Sequence, residues 1–430
     1  MAAHDIDADP VTPVTPHDAV YNDRIMWLFN SVGTQDSLLY WGHILPRFLK
    51  YYPHSQFYCA RPPTRPIPDS HQDMQCLGSL RIPLGKRRQS YDRQLVIPWP
   101  NVLMRIRRFR PDVIVVKELV AYSIYVALAR RALCGARVIV LIEGAPYQGR
   151  TRQPRPWTLW LRRQIVRRVD LMVTSNDAGR EYLEHTLHVP PGRVLVHPFL
   201  VSETAQREDN PHPLPAAAAQ VHTIAKRNEQ VILLYVGQMI PRKGVLPLVQ
   251  ALGKVPVELR EKLQLWLIGD GPQRTAIEQY VDEQGLTEQV YCWGRQPYET
   301  VTAFYQAADA FVMPTLDDYR ALVGFEAISH GLPMLHSIHD GACQEVVSEG
   351  ENGFLFDPSD TAQTVQRLAW FAAHQERLPR MSKASLRRAT RYTVEHAVAG
   401  LVQAVQRCQE LQRCQESECC EERTDGQVAP

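Results

Sequence analysis

The alternation of short apolar runs with amphipathic helical patterns constrains the fold of this chain more than any other feature. In the first half, the apolar runs indicate strands at 24–30, 55–60, 112–118, 137–144, 171–176 and 194–199. In the second half, they indicate strands at 231–237, 263–271, 289–294, 310–314 and 332–337. Helical patterns fill most of the intervals, among them 37–52, 122–133, 157–170, 245–253 and 273–284. Such alternation is typical of parallel sheets covered by helices on both faces.

One break in the alternation divides the 430 residues into two units. Residues 202–228 are rich in proline, alanine, histidine and charge, which suits a linker, and residues 61–100 also read as irregular. We therefore predict an α/β protein of two doubly wound domains with a cleft between them. The predicted segments are a disordered lead-in (1–20), a first domain (21–201), the linker (202–228), a second domain (229–384), a C-terminal helix that packs back on the first domain (385–412) and a disordered tail (413–430).

The composition excludes several classes of protein. Hydrophobic residues make up 45% of the chain and charged residues 22%, as in globular proteins with sizeable cores. No apolar run approaches the roughly 18 residues that span a bilayer, and the acidic, proline-rich start lacks the pattern of a signal peptide. The nine cysteines lack the paired spacing of a zinc site, and four of them lie in the polar tail. We expect a cytoplasmic protein.

The net charge of +2 conceals an asymmetry between the two halves. Residues 1–200 contain 27 lysines and arginines against 16 acids, whereas residues 201–430 contain 21 against 30. A basic first domain can bind phosphorylated ligands, nucleic acid or an anionic membrane surface.

Part of the basic charge lies in the helical segment 157–170. One face of this helix carries Trp157, Trp160, Leu161 and Ile165. The opposite face carries most of Arg162, Arg163, Arg167 and Arg168. The segment is either an amphipathic element on a membrane or a helix that packs its apolar face into the core.

Two loops of the second domain carry residues that suit a diphosphate. In doubly wound sheets, ligands bind at the carboxyl ends of the strands. The loop after the first strand of this domain contains Gly237, Arg242, Lys243 and Gly244. Glycine permits close backbone approach there, and paired cations suit phosphate groups. The turn after the next strand contains Gly269 and Gly271 and opens a helix, whose first amides point outward.

Two acids flank a later strand-to-helix turn, in the segment TLDDYRALVGFEAISHGLP. Glu326 can accept hydrogen bonds from two adjacent hydroxyl groups, as acids do on ribose in nucleotide sites, and Asp318 can reach a different hydroxyl group. The backbone amides of Ala321, Leu322 and Val323 lie between the acids at the helix start, where an anionic oxygen is stabilised. The alternative is structural: Asp318 caps the helix and Glu326 favours its first turn.

Five windows in the second half follow one another at the spacing of a known family: VGQMIPRKG, LIGDGP, VYCWGRQP, AADAFVMPTLDDYRALVGFEAISHGLP and DGACQEVVSEGENGFLFDPSD. Together they resemble the C-terminal domain of the family-4 retaining glycosyltransferases. The resemblance is specific over residues 230–360 and looser over 24–200, where RVDLMVTSNDAGREYLEHTLHVPPGRVLVHPFLVS is similar to the last strands of the family's first domain. It implies the GT-B architecture, which has two facing Rossmann-like domains and uses nucleotide-sugar donors.

The resemblance also implies roles for single residues. Glu326 would hold the ribose, and Asp318 would hold the donor sugar. Gln238 and Lys243 occupy the positions of the family's diphosphate-binding arginine and lysine, so Gln238 is a departure that lacks the charge. Arg242, next to Lys243, is the residue that would compensate. Arg295 lies where the family's loop meets the base.

The first domain departs further from the family. Glu143 stands before Gly144 where the family often has histidine before glycine. It would orient the donor sugar or accept a proton, unless it is an ordinary polar strand end. The early glycine-rich loop is reduced to NSVGTQD, in which Gly33 stands alone. This loop also lacks the Gly-x-Gly-x-x-Gly pattern of a dinucleotide-dependent oxidoreductase, which argues against that class.

We therefore predict a retaining hexosyltransferase that moves a sugar from a nucleoside diphosphate to a hydroxyl group of a glycan or a lipid-linked acceptor. The resemblance implies no cofactor and no tightly bound metal, because Lys243, helix N-termini and backbone amides would stabilise the leaving diphosphate. We expect no nucleic-acid partner, and an anionic membrane surface is a candidate partner. The alternative is a non-catalytic nucleotide-sugar-binding protein of the same fold, since Gln238 and Glu143 replace two commonly charged or catalytic positions.

Overall fold

The computed structural model describes residues 19–29, 37–60, 74–83, 94–119, 121–129, 135–145, 156–199, 201 and 213–425. These residues form two α/β domains, each built on a sheet of parallel strands. The fold class predicted from the sequence is therefore confirmed. Gly33 and the lead-in up to residue 18 lie outside the described residues.

The first domain contains β1 (Ile25–Phe29), α1 (Ser37–Tyr51), β2 (Ser55–Cys59), β3 (Gln75–Cys76), β4 (Ser79–Pro83), β5 (Gln94–Pro98), α2 (Asn101–Phe109), β6 (Val113–Lys117), α3 (Ala121–Ala129), β7 (Arg137–Ile142), α4 (Pro156–Val166), β8 (Leu171–Thr174), α5 (Asp177–Glu181) and β9 (Val194–Val196). Seven strands form a parallel sheet in the order β3-β2-β1-β6-β7-β8-β9. The winding therefore reverses between β1 and β6.

Part of the stretch predicted to be irregular, 61–100, is a hairpin. β4 and β5 pair antiparallel, with Leu80 opposite Ile97, apart from the main sheet. Leu80 and Ile82 are exposed, so this hairpin does not bury a continuous apolar run. The strand pattern used for the rest of the domain therefore did not detect it.

The second domain contains α6 (Ala216–Arg227), β10 (Val231–Val236), α7 (Val245–Gly253), α8 (Val257–Arg260), β11 (Leu263–Ile268), α9 (Arg274–Glu283), β12 (Val290–Gly294), α10 (Tyr298–Ala307), β13 (Ala310–Met313), α11 (Leu322–Ser329), β14 (Met334–Ser337), α12 (Cys343–Val346), β15 (Gly353–Phe356), α13 (Thr361–Ala373) and α14 (Leu378–Ala389). Its six strands are parallel, in the order β12-β11-β10-β13-β14-β15. Here the winding reverses between β10 and β13.

The linker predicted at 202–228 is shorter than expected, because α6 occupies its second half. Ala218 and Ala225 of this helix are fully buried in the core of the second domain. Alanine favours a helix but adds little apolar contrast, so the segment shows a weak hydrophobic period.

The last helix, α15 (Val394–Asp425), returns to the first domain. Its buried face, from Val394 to Cys408, shares a core with α1. The preceding helix α14 packs in the core of the second domain, so the crossing lies near 390–393 rather than at 384. α15 also continues to Asp425, where a disordered tail was predicted, because the sequence contains no proline or glycine from residue 401 to that residue.

Candidate active site

The loops that follow β10 and β13 cross at the point where the second sheet reverses its winding. The first loop contains a short 3-10 turn, and the backbone N–H of Leu316 in the second loop donates to the carbonyl oxygen of Arg242 at 2.8 Å. Gly244 has a φ of +67°, and a Cβ atom there would lie 2.0 Å from the carbonyl oxygen of Pro314. Glycine is therefore required where the loops cross.

Two cationic side chains of the first loop form ion pairs with Asp318. Its carboxylate pairs with the Lys243 ammonium group, and Nη1 of Arg242 lies 3.1 Å from its Oδ1. Arg242 also donates to the carbonyl oxygen of Asp317 at 2.7 Å. The Arg242 guanidinium group is thus committed to the acidic loop rather than directed toward Gln238, whose side chain is exposed.

The turn after β11 lies directly against the loop after β10. A Cβ atom at Gly269 would lie 1.9 Å from the carbonyl oxygen of Gly237, and one at Gly271 would lie 2.5 Å from that of Met239. These glycines therefore let two loops pack backbone to backbone at the carboxyl edge of the sheet. Arg295 follows β12, and its side chain is exposed.

Asp340, which the sequence analysis did not single out, supports the start of α11. Its Oδ1 accepts hydrogen bonds from the backbone N–H groups of Ala321 at 3.1 Å and Ala342 at 3.3 Å. Its Oδ2 lies 2.7 Å from Nε2 of His336, and both side chains are fully buried. Burial alone would raise the pKa of Asp340, but these hydrogen bonds and His336 hold it below its usual value.

The N-terminus of α11 therefore differs from the prediction in two respects. Asp318 does not cap the helix, since Ala321 is the N-cap residue and its methyl side chain makes no capping hydrogen bond. The Ala321 amide, predicted to bind an anionic oxygen, donates to Asp340 instead. Leu322 and Val323 occupy the first two helical positions, where amides have no acceptor within the helix.

Glu326 lies one turn into α11 and is almost fully buried. Its Oε2 accepts a hydrogen bond from the hydroxyl group of Tyr305 at 2.9 Å. The Tyr305 ring stacks on His330, with centroids 4.9 Å apart, and Nδ1 of His330 lies 2.8 Å from the carbonyl oxygen of Glu326. The acid is thus held in a fixed orientation beneath the helix start.

In the first domain, Glu143 forms an ion pair with Lys117 at the carboxyl ends of β7 and β6. Oε1 of Glu143 lies 2.8 Å from the Lys117 ammonium nitrogen. Burial opposes ionisation of Glu143, but Lys117 outweighs it and lowers the pKa of this carboxyl group. Next to Lys117, Glu118 has a φ of +70°, which is rare outside glycine. Burial and the charge of Glu143 raise the pKa of Glu118 to about 7.

Two polar contacts connect the carboxyl edges of the two sheets. The Tyr319 hydroxyl group bonds to the backbone of Gly144. The amide of Asn176, after β8, donates to Oε1 of Glu345 at 2.8 Å, and Arg320 donates to Oε2 of the same carboxylate at 2.9 Å. The structure therefore brings the loop of Asp318 against the strand end that carries Glu143.

Of the residues predicted for the site, Lys243, Arg242 and Asp318 are in direct contact, whereas Gln238 and Arg295 are exposed at the same edge. Sequence reasoning missed the contacts of Asp340, Tyr319 and Tyr305, Asn176 and Glu118. These residues belong to no local motif. Among the described residues, no group of three or more histidine, cysteine, aspartate or glutamate side chains could hold a metal ion.

Two family models match the chain, one in each domain. The model described as "Glycosyl transferase 4-like domain" matches residues 56–199, and the model "Glycosyl transferases group 1" matches residues 219–388. The second match includes all the residues discussed above in the second domain.

Curated relatives and solved structures are consistent with these matches. The chain is 24% identical to an alpha-D-kanosaminyltransferase of Streptomyces kanamyceticus over 58% of its own length and 65% of the relative. It is 31% identical to the lipopolysaccharide core biosynthesis glycosyltransferase LpsD of Rhizobium meliloti, over 40% and 48% of the two chains. The chain thus spans about half to two thirds of these relatives. In fold it is similar to HepE of Anabaena in complex with UDP, with a TM-score of 0.67, 15% identity, and 89% and 99% of the chains covered.

Proposed function

Because the chain belongs to the family-4-like glycosyltransferases of the GT-B fold, we propose that it transfers a sugar from a nucleoside diphosphate to a hydroxyl group, with retention of configuration. The observation that carries this proposal is the contact of Lys243 and Arg242 with Asp318 at the reversal point of the second sheet. The Tyr319 contact holds the Asp318 loop beside the strand end that carries Glu143. A cation pair and two acids thus border the cleft.

The donor diphosphate would bind between Lys243 and the first amides of α11. Lys243 supplies a point charge, and the Leu322 and Val323 amides lie at the positive end of the helix dipole. The sugar would then lie beside Asp318, and the ribose would lie toward Glu326. The similar HepE structure holds UDP, so UDP and UDP-sugars are the first compounds to test.

The proposed reaction needs no covalent intermediate. The bond between the anomeric carbon and the diphosphate oxygen breaks, and the acceptor hydroxyl group bonds to the same face of the sugar. The leaving phosphate oxygen takes the proton of that hydroxyl group, so charge and atoms balance and the configuration is retained. Lys243 stabilises the negative charge that develops on the leaving group, which is an electrostatic contribution. No tightly bound metal is required by this scheme.

Glu143 would orient a hydroxyl group in the cleft. Its lowered pKa keeps the carboxylate ionised, so it accepts hydrogen bonds rather than donating them. Lys117 fixes the direction of the carboxylate through their 2.8 Å contact. A glycan or a lipid-linked sugar offers such hydroxyl groups, and we propose this acceptor class.

A non-catalytic binder of nucleotide sugars is the second candidate. It is favoured by the exposed Gln238, which leaves one family position without its cation. Turnover separates the candidates, because only an enzyme releases nucleoside diphosphate from the donor when an acceptor is added.

The test is a panel of nucleoside diphosphates and their sugars, with binding followed by thermal shift and turnover by release of the diphosphate. Glu326→Gln keeps the shape of the buried side chain, and Glu283→Gln on exposed α9 is the matched control. We expect Glu326→Gln to weaken nucleotide binding and transfer while the control retains both. Binding without turnover in the wild type would support the binder, and wild-type nucleotide affinity in a folded Glu326→Gln variant would refute the ribose assignment.

A further inference from the structure

Three helices cover one face of the first sheet, and their outer surface is defined here as the three-helix face of α2, α3 and α4. Their inward side chains belong to one core cluster, formed among others by Val102, Ile106, Tyr122, Val126, Ile165 and Val166. All three helices pack on this cluster and α3 is in contact with α4, so their outward side chains lie on the same side of the sheet.

Large apolar side chains project outward from this face. The exposed fraction is 70% for Met104 on α2, 74% for Leu128 on α3, and 59% and 63% for Trp157 and Trp160 on α4. The alternative that α4 packs its apolar face into the core is therefore correct for Ile165 but wrong for both tryptophans. Ile165 and Val166 are buried in their place. Exposed tryptophans that share one surface with other large apolar side chains mark an interaction site.

The charge on the three-helix face has a single sign. Within their described bounds, α2, α3 and α4 contain no aspartate or glutamate. Exposed arginines lie on α2 and directly after α2 and α4: Arg105, Arg107, Arg108, Arg110, Arg167 and Arg168. The acids that follow α2 and α4 along the chain are each paired with an arginine: the half-exposed Asp112 with Arg24, and the buried Asp170 with Arg137.

Two other arginines of α4 do not belong to this surface. Arg162 donates to the hydroxyl group of Tyr182 at 2.8 Å, and Arg163 donates through two nitrogens to the carbonyl oxygen of Thr186. These contacts attach α4 to the neighbouring segment and hold the helix so that Trp157 and Trp160 face outward.

We propose that the three-helix face docks on an anionic membrane surface. Tryptophan favours the boundary between headgroups and acyl chains, and arginines on the same face attract anionic lipid. A protein partner would have to be acidic over the whole width of three helices and also accept two tryptophans, whereas an anionic bilayer meets both requirements. Among the described helices none is long and apolar enough to cross a bilayer.

The direction of the helices places the two tryptophans at the cleft end of the three-helix face. In a parallel sheet, each connecting helix starts at the carboxyl edge and runs back to the amino edge. Trp157 and Trp160 lie in the first half of α4, on the side of the strand end that carries Glu143. A lipid-linked acceptor could then present its sugar to the cleft without leaving the bilayer. This inference rests on the proposed sugar transfer only for the choice of acceptor.

The experiment is sedimentation of the full chain with vesicles of phosphatidylcholine alone or with about 30% phosphatidylglycerol. We expect binding to the anionic vesicles only, and we expect it to fall at least tenfold between about 50 and 300 mM salt, because salt screens exposed charges. Absence of binding at low salt, or equal binding to neutral vesicles, overturns the proposal.

Two variants locate the contact. Arg107→Gln with Arg167→Gln should weaken vesicle binding about thirtyfold, given roughly 1 kcal/mol per basic residue. Separately, Trp157→Ala with Trp160→Ala should weaken it by more than this, because each tryptophan buries a large apolar area in the membrane. Lys383→Gln with Arg387→Gln, on the exposed side of α14, is the control for loss of two charges and should bind as the wild type does. Unchanged binding in both face variants overturns the proposal. Vesicle binding requires no donor, so the two proposals fail independently. A protein that does not bind vesicles could still transfer sugar in solution, and a protein that does not transfer sugar could still bind vesicles.

Discussion

The hydroxyl group of Tyr319 connects the two domains by bonding to both backbone groups of Gly144. It donates to the carbonyl oxygen at 2.5 Å and lies 3.2 Å from the amide nitrogen, which donates to it. Tyr319 directly follows Asp318, and Gly144 directly follows Glu143. The contact therefore sets the distance between the two acids that border the cleft from opposite domains.

We predict that Tyr319→Phe lowers kcat/KM for transfer about five- to tenfold, because net hydrogen bonds of about 1 kcal/mol each are lost between the domains. The affinity for UDP, measured by calorimetry, should stay within about twofold, because Tyr319 contacts neither proposed phosphate ligand. Tyr280→Phe on α9 is the control for loss of a tyrosine hydroxyl group. A parallel loss of nucleotide affinity would show that Tyr319 acts on the donor site itself.

Lys243→Ala should weaken the binding of a nucleoside diphosphate and of the corresponding nucleotide sugar alike, by about ten- to a hundredfold. The reason is that hydrogen bonds to charged groups are worth about 1.5–3 kcal/mol. The exposed Lys254→Ala is the control for charge. Gln238→Arg should be tolerated or should tighten donor binding. Arg242 is held by Asp317 and Asp318, so it does not supply the missing charge at position 238. Unchanged donor affinity in Lys243→Ala would move the phosphate site elsewhere.

Asp340→Asn should lower the free energy of unfolding by about 1.5–3 kcal/mol at neutral pH, because it removes a fully buried carboxylate that accepts hydrogen bonds from the Ala321 and Ala342 amides and contacts His336. Glu278→Gln, which breaks the half-exposed pair with Arg274, should cost no more than about 1 kcal/mol. Since the pKa of Asp340 is lowered in the fold, its stabilisation is present above the unfolded value of 3.8 and is lost as the pH falls. Denaturant titrations should therefore show the two curves of wild type and Asp340→Asn converging in acid.

Glu118→Gln should raise the melting temperature at pH 8 and leave it unchanged near pH 4. The pKa of Glu118 rises from 4.5 to about 7 on folding, so the protonated form is favoured in the fold. The stabilisation from protonated Glu118 is fully present below pH 4.5 and is lost as the pH rises through about 7. A gain of roughly 2–4 °C would correspond to about 1 kcal/mol in a domain of this size. Glu181→Gln, at an exposed acid of the same domain, is the control, and equal curves for all three proteins would contradict the prediction.

The elements that could be predicted from the sequence are those with a strong local period. β10, β13 and α11 were all expected within a few residues of their bounds, because a buried strand is a continuous apolar run and a helix repeats its apolar face. The hairpin of β4 and β5 and the alanine-rich α6 were missed because the first has no continuous buried apolar run and the second has only a weak apolar face. Glu326 and Asp318 could be singled out as candidates because both lie in one short motif.

By itself the sequence determined the order of strands and helices, the two domains and the residues that a family motif carries. Only the tertiary structure decided which charges meet: Lys243 contacts Asp318 from 75 positions away, and Tyr319 reaches Gly144 across 175. It also decided that Trp157 and Trp160 face outward. The physical reason is that apolar periodicity acts between neighbours along the chain. Hydrogen bonds and ion pairs depend instead on a few ångströms of distance, which only the packing of distant segments sets.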